Sequence, residues 1–490
     1  MRAFAFCAVL LTLAGCAKAR SAAPATAPLD PVLRLRQDVV QATQAPGVQR
    51  AAWAVAVQSL DRNERLVDLN SRTLLVPASI SKLVSAASAA DAVGWDYRFE
   101  TTLRAAGPIV DGTLRGDLLI VGSGDPTIAG RAGQDVTAWI EAVKAAGIHR
   151  IDGRIIGDDD SIEDPRPQLA WTWDDLGYPT GALFGALNLG ENRMVVTVTP
   201  GGTPGAPTSL GVEPHAADRP LANRTVTTAA GTTQLLWPEQ RPGEPFLTIA
   251  GTIPAGAPPA RVNVAVGNPT FWFASVFRNR LLGDGLEVTG DAWDIDDVMP
   301  RVDRAASTVL FTHRSEPLAA IVQPMLKESI NLYAEAVMRL NADGAVPATN
   351  DAALAGLRRR LESWGIADAQ QLIDGSGLSR RNAISADAML ALLQRMQDAT
   401  NASPFVSALP VAGLDGTLES RMRETPAAGN VRAKTGTMSN IRSLAGYVTT
   451  RDGERLAFVA MANNFDGNGA AANQALDTIA VRLAGFSRTR

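Results

Sequence analysis

The chain has 490 residues, 46% of them hydrophobic and 20% charged, enough to bury one large core or two smaller ones. Its formal net charge is −4 and the charges are scattered, which argues against an electrostatic grip on nucleic acid. The three histidines, His149, His215 and His313, stand apart from one another, so no multi-histidine metal centre is expected and each is read as structural. Cys7 and Cys16 both precede the folded body, which leaves it neither a disulfide framework nor a cysteine nucleophile. Only Lys18, Lys82, Lys144, Lys327 and Lys434 represent lysine among 46 basic residues. Lysine kept in so arginine-rich a chain points to a need for an ammonium that can give up its proton.

In chain order, Arg2 and the apolar stretch from Ala3 to Leu13 read as an export signal, too short to span a bilayer. Leu13-Ala14-Gly15-Cys16 resembles a bacterial lipobox, which makes residues 1–16 a lipoprotein signal peptide and Cys16 the lipid-modified first residue of the mature chain; ordinary cleavage just beyond Cys16 is the alternative. Residues 17–45 read as an Ala/Pro tether, although Val32, Leu35 and Val39 keep helical spacing near its end. No later segment is apolar over about 18 residues, so the protein is expected in the periplasm or cell envelope, held to a membrane by lipid only.

Residues 52–60 alternate like a half-buried strand, Pro77-Ala78-Ser79 breaks that pattern, and the alanine-rich run that follows reads as a core helix ended by Gly94. From 98 to 301 short Thr/Val/Leu runs between Gly and Pro indicate a β-rich insert, with helical interruptions near 135–147 and 270–282. Thereafter come a strand over 308–313, a helical stretch over 317–340, further helices to about 400, strands over 443–450 and 455–462, and a terminal helix at 470–484. Helices mixed with antiparallel strands make 46–97 and 302–490 a discontinuous α/β (α+β) catalytic domain interrupted by the insert.

Three strings carry chemistry: Ser79-Ile80-Ser81-Lys82, Ser329-Ile330-Asn331 and Lys434-Thr435-Gly436, in the order SxxK, SxN, KTG. A chance SxxK is expected about 0.2 times in this composition and a chance KTG roughly 0.03 times, so the ordered set outweighs a helix cap and a surface lysine. On a helix Lys82 shares a face with Ser79 and can take its proton, provided burial and neighbouring cations lower the lysine's pKa. Ser329 can relay a proton towards the leaving amine, and Asn331 can bond both Lys82 and a substrate amide. Lys434 suits a fixed positive charge facing a substrate carboxylate, with Thr435 beside it and Gly436 allowing close approach of substrate backbone. The backbone N–H groups of Ser79 and Thr437 form the simplest oxyanion hole. Ser123 and Ser376, in GSGDP and DGSGLS, read as turns.

With LRGDLLIVGSGDPT at 114–127, MLKESINLYAEAV at 325–337, DGSGLSRRN at 374–382, LPVAGLDGTLESRM at 409–422 and VRAKTGTMSNIRSLAGYV at 431–448, the chain resembles low-molecular-mass penicillin-binding proteins of the D-alanyl-D-alanine carboxypeptidase/endopeptidase family. The resemblance implies a penicillin-binding-protein/β-lactamase-like transpeptidase domain with a large β-rich insert. It implies a serine DD-peptidase acting through an acyl-enzyme on Ser79, cleaving the D-Ala-D-Ala terminus of peptidoglycan stem peptides and D-Ala-diaminopimelate crosslinks, with β-lactams as covalent inhibitors. An acidic side chain near Trp171-Thr172-Trp173-Asp174 would read the diaminopimelate ammonium. No cofactor or metal is expected, and the sequence leaves the oligomeric state open. The competing readings are a β-lactamase or esterase on the same core, which the long insert disfavours, and a non-catalytic cell-wall-binding protein, which has no need of a deprotonable lysine.

Overall fold

The computed structural model describes residues 30–131, 135–214, 216, 218–366, 370–398, 403–467 and 469–489. The signal peptide, Cys16 and His215 lie outside the described residues.

The chain's first strand finds its partner almost four hundred residues later. Ala52–Ser59 pairs antiparallel along its whole length with Arg455–Asn463, from Ala52 opposite Asn463 to Ser59 opposite Leu456. The full sheet runs Glu64–Leu69, Ala52–Ser59, Arg455–Asn463, Ile441–Thr449, Arg432–Met438, antiparallel throughout, which leaves the strand bearing Lys434 at an edge.

Side-chain alternation along these strands feeds two cores. Trp53, Val55 and Val57 pack with Leu35 and Val39 on one side and with Leu476, Ile479 and Leu483 of the terminal helix Ala470–Ala484. Ala54 and Ala56 face the other way, with Ala445 and Ala457, and their small size lets the helix Ala386–Asp398 sit close to the sheet, with the helices Ser81–Val93 and Leu318–Lys327 in the same core. Every residue from Ser81 to Ala89 is buried, as expected of a helix without a polar face, and Gly94 at φ +81° ends it.

Two boundaries differ from the sequence reading. Residues Pro31–Thr43, assigned there to the tether, form a helix with Pro in its first turn, capped by Asp30 and buried through Leu35 and Val39. Composition marks Ala/Pro-rich chain well, but this segment's apolar spacing wins once the sheet offers it a face. The strand Thr308–Arg314, assigned to the catalytic part, instead pairs with Glu100–Ala106 and completes a five-stranded sheet of the insert with Asp117–Val121, Ile155–Asp158 and Ala292–Asp294.

The insert also holds two three-stranded sheets, centred on Arg193–Thr199 and Leu247–Pro254. Its helices Thr137–Ala145 and Pro269–Gly283 coincide with the helical interruptions read from the sequence, and they meet in an aromatic cluster. The Trp139 ring lies 5.7 Å from Phe273, 6.0 Å from Phe277, 5.9 Å from Phe311 and 5.5 Å from His313. His313 Nε2 also stands 3.2 Å from the buried Asp125 of the GSGDP turn. No helix among the described residues is long and apolar enough to cross a membrane.

Candidate active site

Ser79 lies in a 3-10 turn, Ala78–Ile80, immediately before the buried helix. The turn is strained, with Ala78 at φ +50° in the left-handed region. Two glycines close over it. A Cβ on Gly436 would collide with the Ser443 hydroxyl and the Pro77 carbonyl, and one on Gly377 with the Ala78 carbonyl. Gly436 is therefore required by the packing of the edge strand against the serine turn, whereas the sequence reading assigned it to close approach by substrate backbone.

One helical turn on, Lys82 is fully buried, and its Nζ donates to three acceptors: Ser79 Oγ at 2.8 Å, Asn331 Oδ1 at 2.6 Å and the Ser376 carbonyl at 2.8 Å. Burial pulls its pKa down to about 7 against the opposing pull of Asp374 and Glu335. A neutral amine at that position can accept the Ser79 hydroxyl proton along the same 2.8 Å line.

The sequence reading runs one helical stretch through 317–340. The structure breaks it into Leu318–Lys327 and Asn331–Arg339, with Ser329 at φ +64° between them. The break has a purpose in the geometry: it presents Ser329 and Asn331 on the same side. Asn331 gives its oxygen to Lys82 and donates Nδ2 to the Thr180 carbonyl of the insert at 2.8 Å. Ser329 Oγ accepts from Lys434 Nζ at 2.9 Å, and Lys434 donates also to the Thr435 carbonyl at 2.7 Å. Lys327, two residues before the motif, turns away to the Leu409 carbonyl and Asp415.

Lys434 is as buried as Lys82, and burial together with the Lys82 charge holds its pKa well below the ordinary lysine value. An incoming carboxylate would favour the charged form of this buried amine.

Behind Lys82 the 374–379 turn is held by carboxylates that sequence reasoning missed. Asp374 accepts from the backbone N–H of Gly377 at 2.8 Å and of Ser379 at 2.6 Å, from Asn382 Nδ2, and from Trp171 Nε1 of the insert at 2.8 Å. Glu335 accepts from the Ser376 N–H at 2.9 Å and the Gly375 N–H at 3.2 Å. Ser376 does sit in a turn, and its carbonyl, not its hydroxyl, reaches the site. The paired glycines of DGSGLS were the available signal, since tightly folded glycine turns expose backbone groups.

Ser79, Ser329, Asn331, Thr435 and Thr437 line one cleft of about 340 Å³, with the two lysines buried beneath its floor. Thr435 Oγ1 donates to Thr417 Oγ1 at 2.7 Å. In the Trp171–Asp174 region it is the next residue, Asp175, that lines the cleft, while Asp174 is exposed away from it; Arg380 lines the cleft as well. Among the described residues one carboxylate group has the spacing to hold a metal ion, Asp159, Asp294 and Asp296, and it belongs to the insert and does not line the cleft.

Comparison with known proteins matches residues 35–484 to the D-Ala-D-Ala carboxypeptidase 3 (S13) family. A D-alanyl-D-alanine carboxypeptidase of Actinomadura sp. (strain R39) is 33% identical over 467 residues, covering 92% of this chain and 85% of that protein. The D-alanyl-D-alanine carboxypeptidase DacB of Haemophilus influenzae is 26% identical over 413 residues, covering 83% of this chain and 84% of that protein. The crystal structure of penicillin binding protein 4 (dacB) from Haemophilus influenzae superposes with a TM-score of 0.79 at 25% identity, covering 91% of this chain and 99% of that one. The same protein complexed with a β-lactam superposes with a TM-score of 0.75 over 92% of this chain and 100% of that one, again at 25% identity.

Proposed function

The chain belongs to the D-Ala-D-Ala carboxypeptidase 3 (S13) family, and from that premise we propose that it is a serine DD-peptidase that removes the terminal D-Ala of peptidoglycan stem peptides through an ester on Ser79. The observation that carries the assignment of roles is the triple contact of a buried Lys82 with Ser79, Asn331 and Ser376. Neutral Lys82 takes the Ser79 proton as Oγ bonds to the carbonyl carbon of the penultimate D-Ala. The backbone N–H groups of Ser79 and Thr437 receive the developing oxyanion. The peptide C–N bond then breaks, and the proton passes from Lys82 by way of the Ser329 hydroxyl to the departing D-Ala amine. Water cleaves the ester with Lys82 again as base, returning Ser79 to its hydroxyl and freeing the shortened stem peptide.

The leaving D-Ala carries a carboxylate, as does a β-lactam, and the Thr435 and Thr437 hydroxyls meet it at the cleft wall while Lys434 supplies charge from beneath. The β-lactam complex of the Haemophilus influenzae protein supports the inhibitor class. Asp175 and Arg380 on the cleft wall suit a third stem residue whose side chain ends in both an ammonium and a carboxylate, as diaminopimelate does. Export with lipid attachment at Cys16 completes the reading. Radiolabelled palmitate entering wild type but not Cys16→Ser is the result it requires, and equal labelling contradicts it.

The test of the catalytic reading is intact-protein mass after incubation with benzylpenicillin, alongside D-Ala release from a D-Ala-D-Ala peptide. One stable penicillin adduct and steady D-Ala release, both lost in Ser79→Ala, are expected. Rapid penicillin loss without an adduct identifies a β-lactamase instead, and neither adduct nor penicillin loss identifies a binding protein.

A further inference from the structure

Glu335 is a carboxylate buried to 2% exposure, one turn beyond Asn331 on the same helix, and it does not line the cleft. Charge at such a depth is costly: burial and the nearby Asp374 push the Glu335 carboxyl up to about 7, while two backbone donors favour its ionised form, one to each oxygen, the Ser376 N–H at 2.9 Å and the Gly375 N–H at 3.2 Å. The Ser376 carbonyl that follows is the third acceptor of Lys82. A second tie fixes the same peptide, from Ser85 Oγ on the Lys82 helix to the Gly375 carbonyl at 2.7 Å. The helix Asn331–Arg339 thus reaches Lys82 twice, directly through Asn331 and indirectly through Glu335 and the turn.

We infer that Glu335 is a positioning residue of the acylation step, holding the Ser376 carbonyl against the Lys82 ammonium so that the amine points at Ser79. The inference rests on Lys82 acting as the base. Only a carboxylate offers both amides an acceptor; a glutamine would set an NH2 against one of them. The charged groups facing this site are Asp374 and Arg339 around Glu335, and Asp374 and Lys434 around Lys82, with Arg339 itself paired to Glu163 at 3.0 Å. Glu335 and Asp374 both favour the protonated form of Lys82.

The experiment measures the second-order acylation rate constant with a fluorescent penicillin from pH 5 to 9 in wild type, Glu335→Gln, Glu335→Asp and Lys82→Arg, with thermal melting of each. A rate constant is insensitive to the amount of folded protein, so it separates this role from a structural one. For Glu335→Gln we expect a fall of about tenfold or more, from a buried amide left unpaired, together with an acid limb moved to lower pH near neutrality, where Glu335 is ionised and favours protonated Lys82, the shift fading towards pH 5 as the wild-type carboxyl itself takes a proton. Glu335→Asp keeps the charge but is a methylene short of both amides, so it acylates slowly with the limb at its wild-type position. A Glu335→Gln protein with wild-type rate and limb overturns the inference. Should that variant not fold, a wild-type rate in Glu335→Asp overturns it equally. If Lys82→Arg acylates normally, the base assignment itself has failed; if Lys82→Arg is inactive while both Glu335 variants are normal, only the positioning role has.

Discussion

The pH dependence of acylation follows from the burial of Lys82. Its side chain is fully enclosed, and desolvation holds its pKa to about 7 although Asp374 and Glu335 pull the other way. Roughly half of the enzyme then carries a neutral amine at pH 7, and about one molecule in a hundred at pH 5, so the acylation rate constant should fall about 50-fold between those values and flatten above pH 8. An amine at the ordinary lysine value of 10.5 would behave differently, its rate still climbing about tenfold per pH unit at pH 9. The assay is the rate of covalent labelling by a fluorescent penicillin across pH 5 to 10, with circular dichroism at each pH to verify that the fold persists. A rate that is level from pH 5 to 8, or one still rising tenfold per unit at pH 9, refutes the assignment of Lys82 as a base brought into range by burial.

Lys434→Arg should retain more acylation than Lys82→Arg, since an arginine preserves a cation beneath the carboxylate position but cannot accept a proton; labelling rates measured side by side decide it, and equal losses contradict the division of roles. Gly436→Ala should lower stability by about 1–3 kcal/mol and slow acylation, because the new methyl meets the Pro77 carbonyl and the Ser443 hydroxyl. An unchanged melting temperature in that variant would show that the edge strand does not pack on the serine turn as described.

The candidate site was legible in the sequence where its chemistry is local. Ser79 and Lys82 are three residues apart, and Lys434, Thr435 and Gly436 are contiguous, so residue type and spacing were enough. Contacts between segments were not legible. Glu335 reads as one more polar position on a helix, and Asp374 as a turn former; their partnership with Lys82 depends on a turn returning to the helix from 294 residues along the chain. The helix break at Ser329 was hidden for a different reason. Its neighbours have ordinary helical propensity, and nothing in the triplet announces the left-handed φ of +64°. The insert's β character was plain from its composition, yet its last strand, Thr308–Arg314, could be placed only by its pairing with Glu100–Ala106. Thr180, which bonds Asn331, carries no sequence signature, and the string that includes Trp171 was read for an acidic side chain and not for the indole that bonds Asp374.

The pairing of Ala52–Ser59 with Arg455–Asn463 sets an order of events for a newly made chain. The strand beside the serine turn has only its hairpin partner Glu64–Leu69 until residue 463 has emerged, so the central sheet cannot close on a truncated product. Closing so long a loop is slow compared with local pairing. The insert, whose five-stranded sheet is complete by Arg314, has all its strands in hand well before then. The cleft around Ser79 is therefore complete only when the late strands bring Lys434 beside Ser329, and a chain cut short before residue 432 lacks that wall altogether.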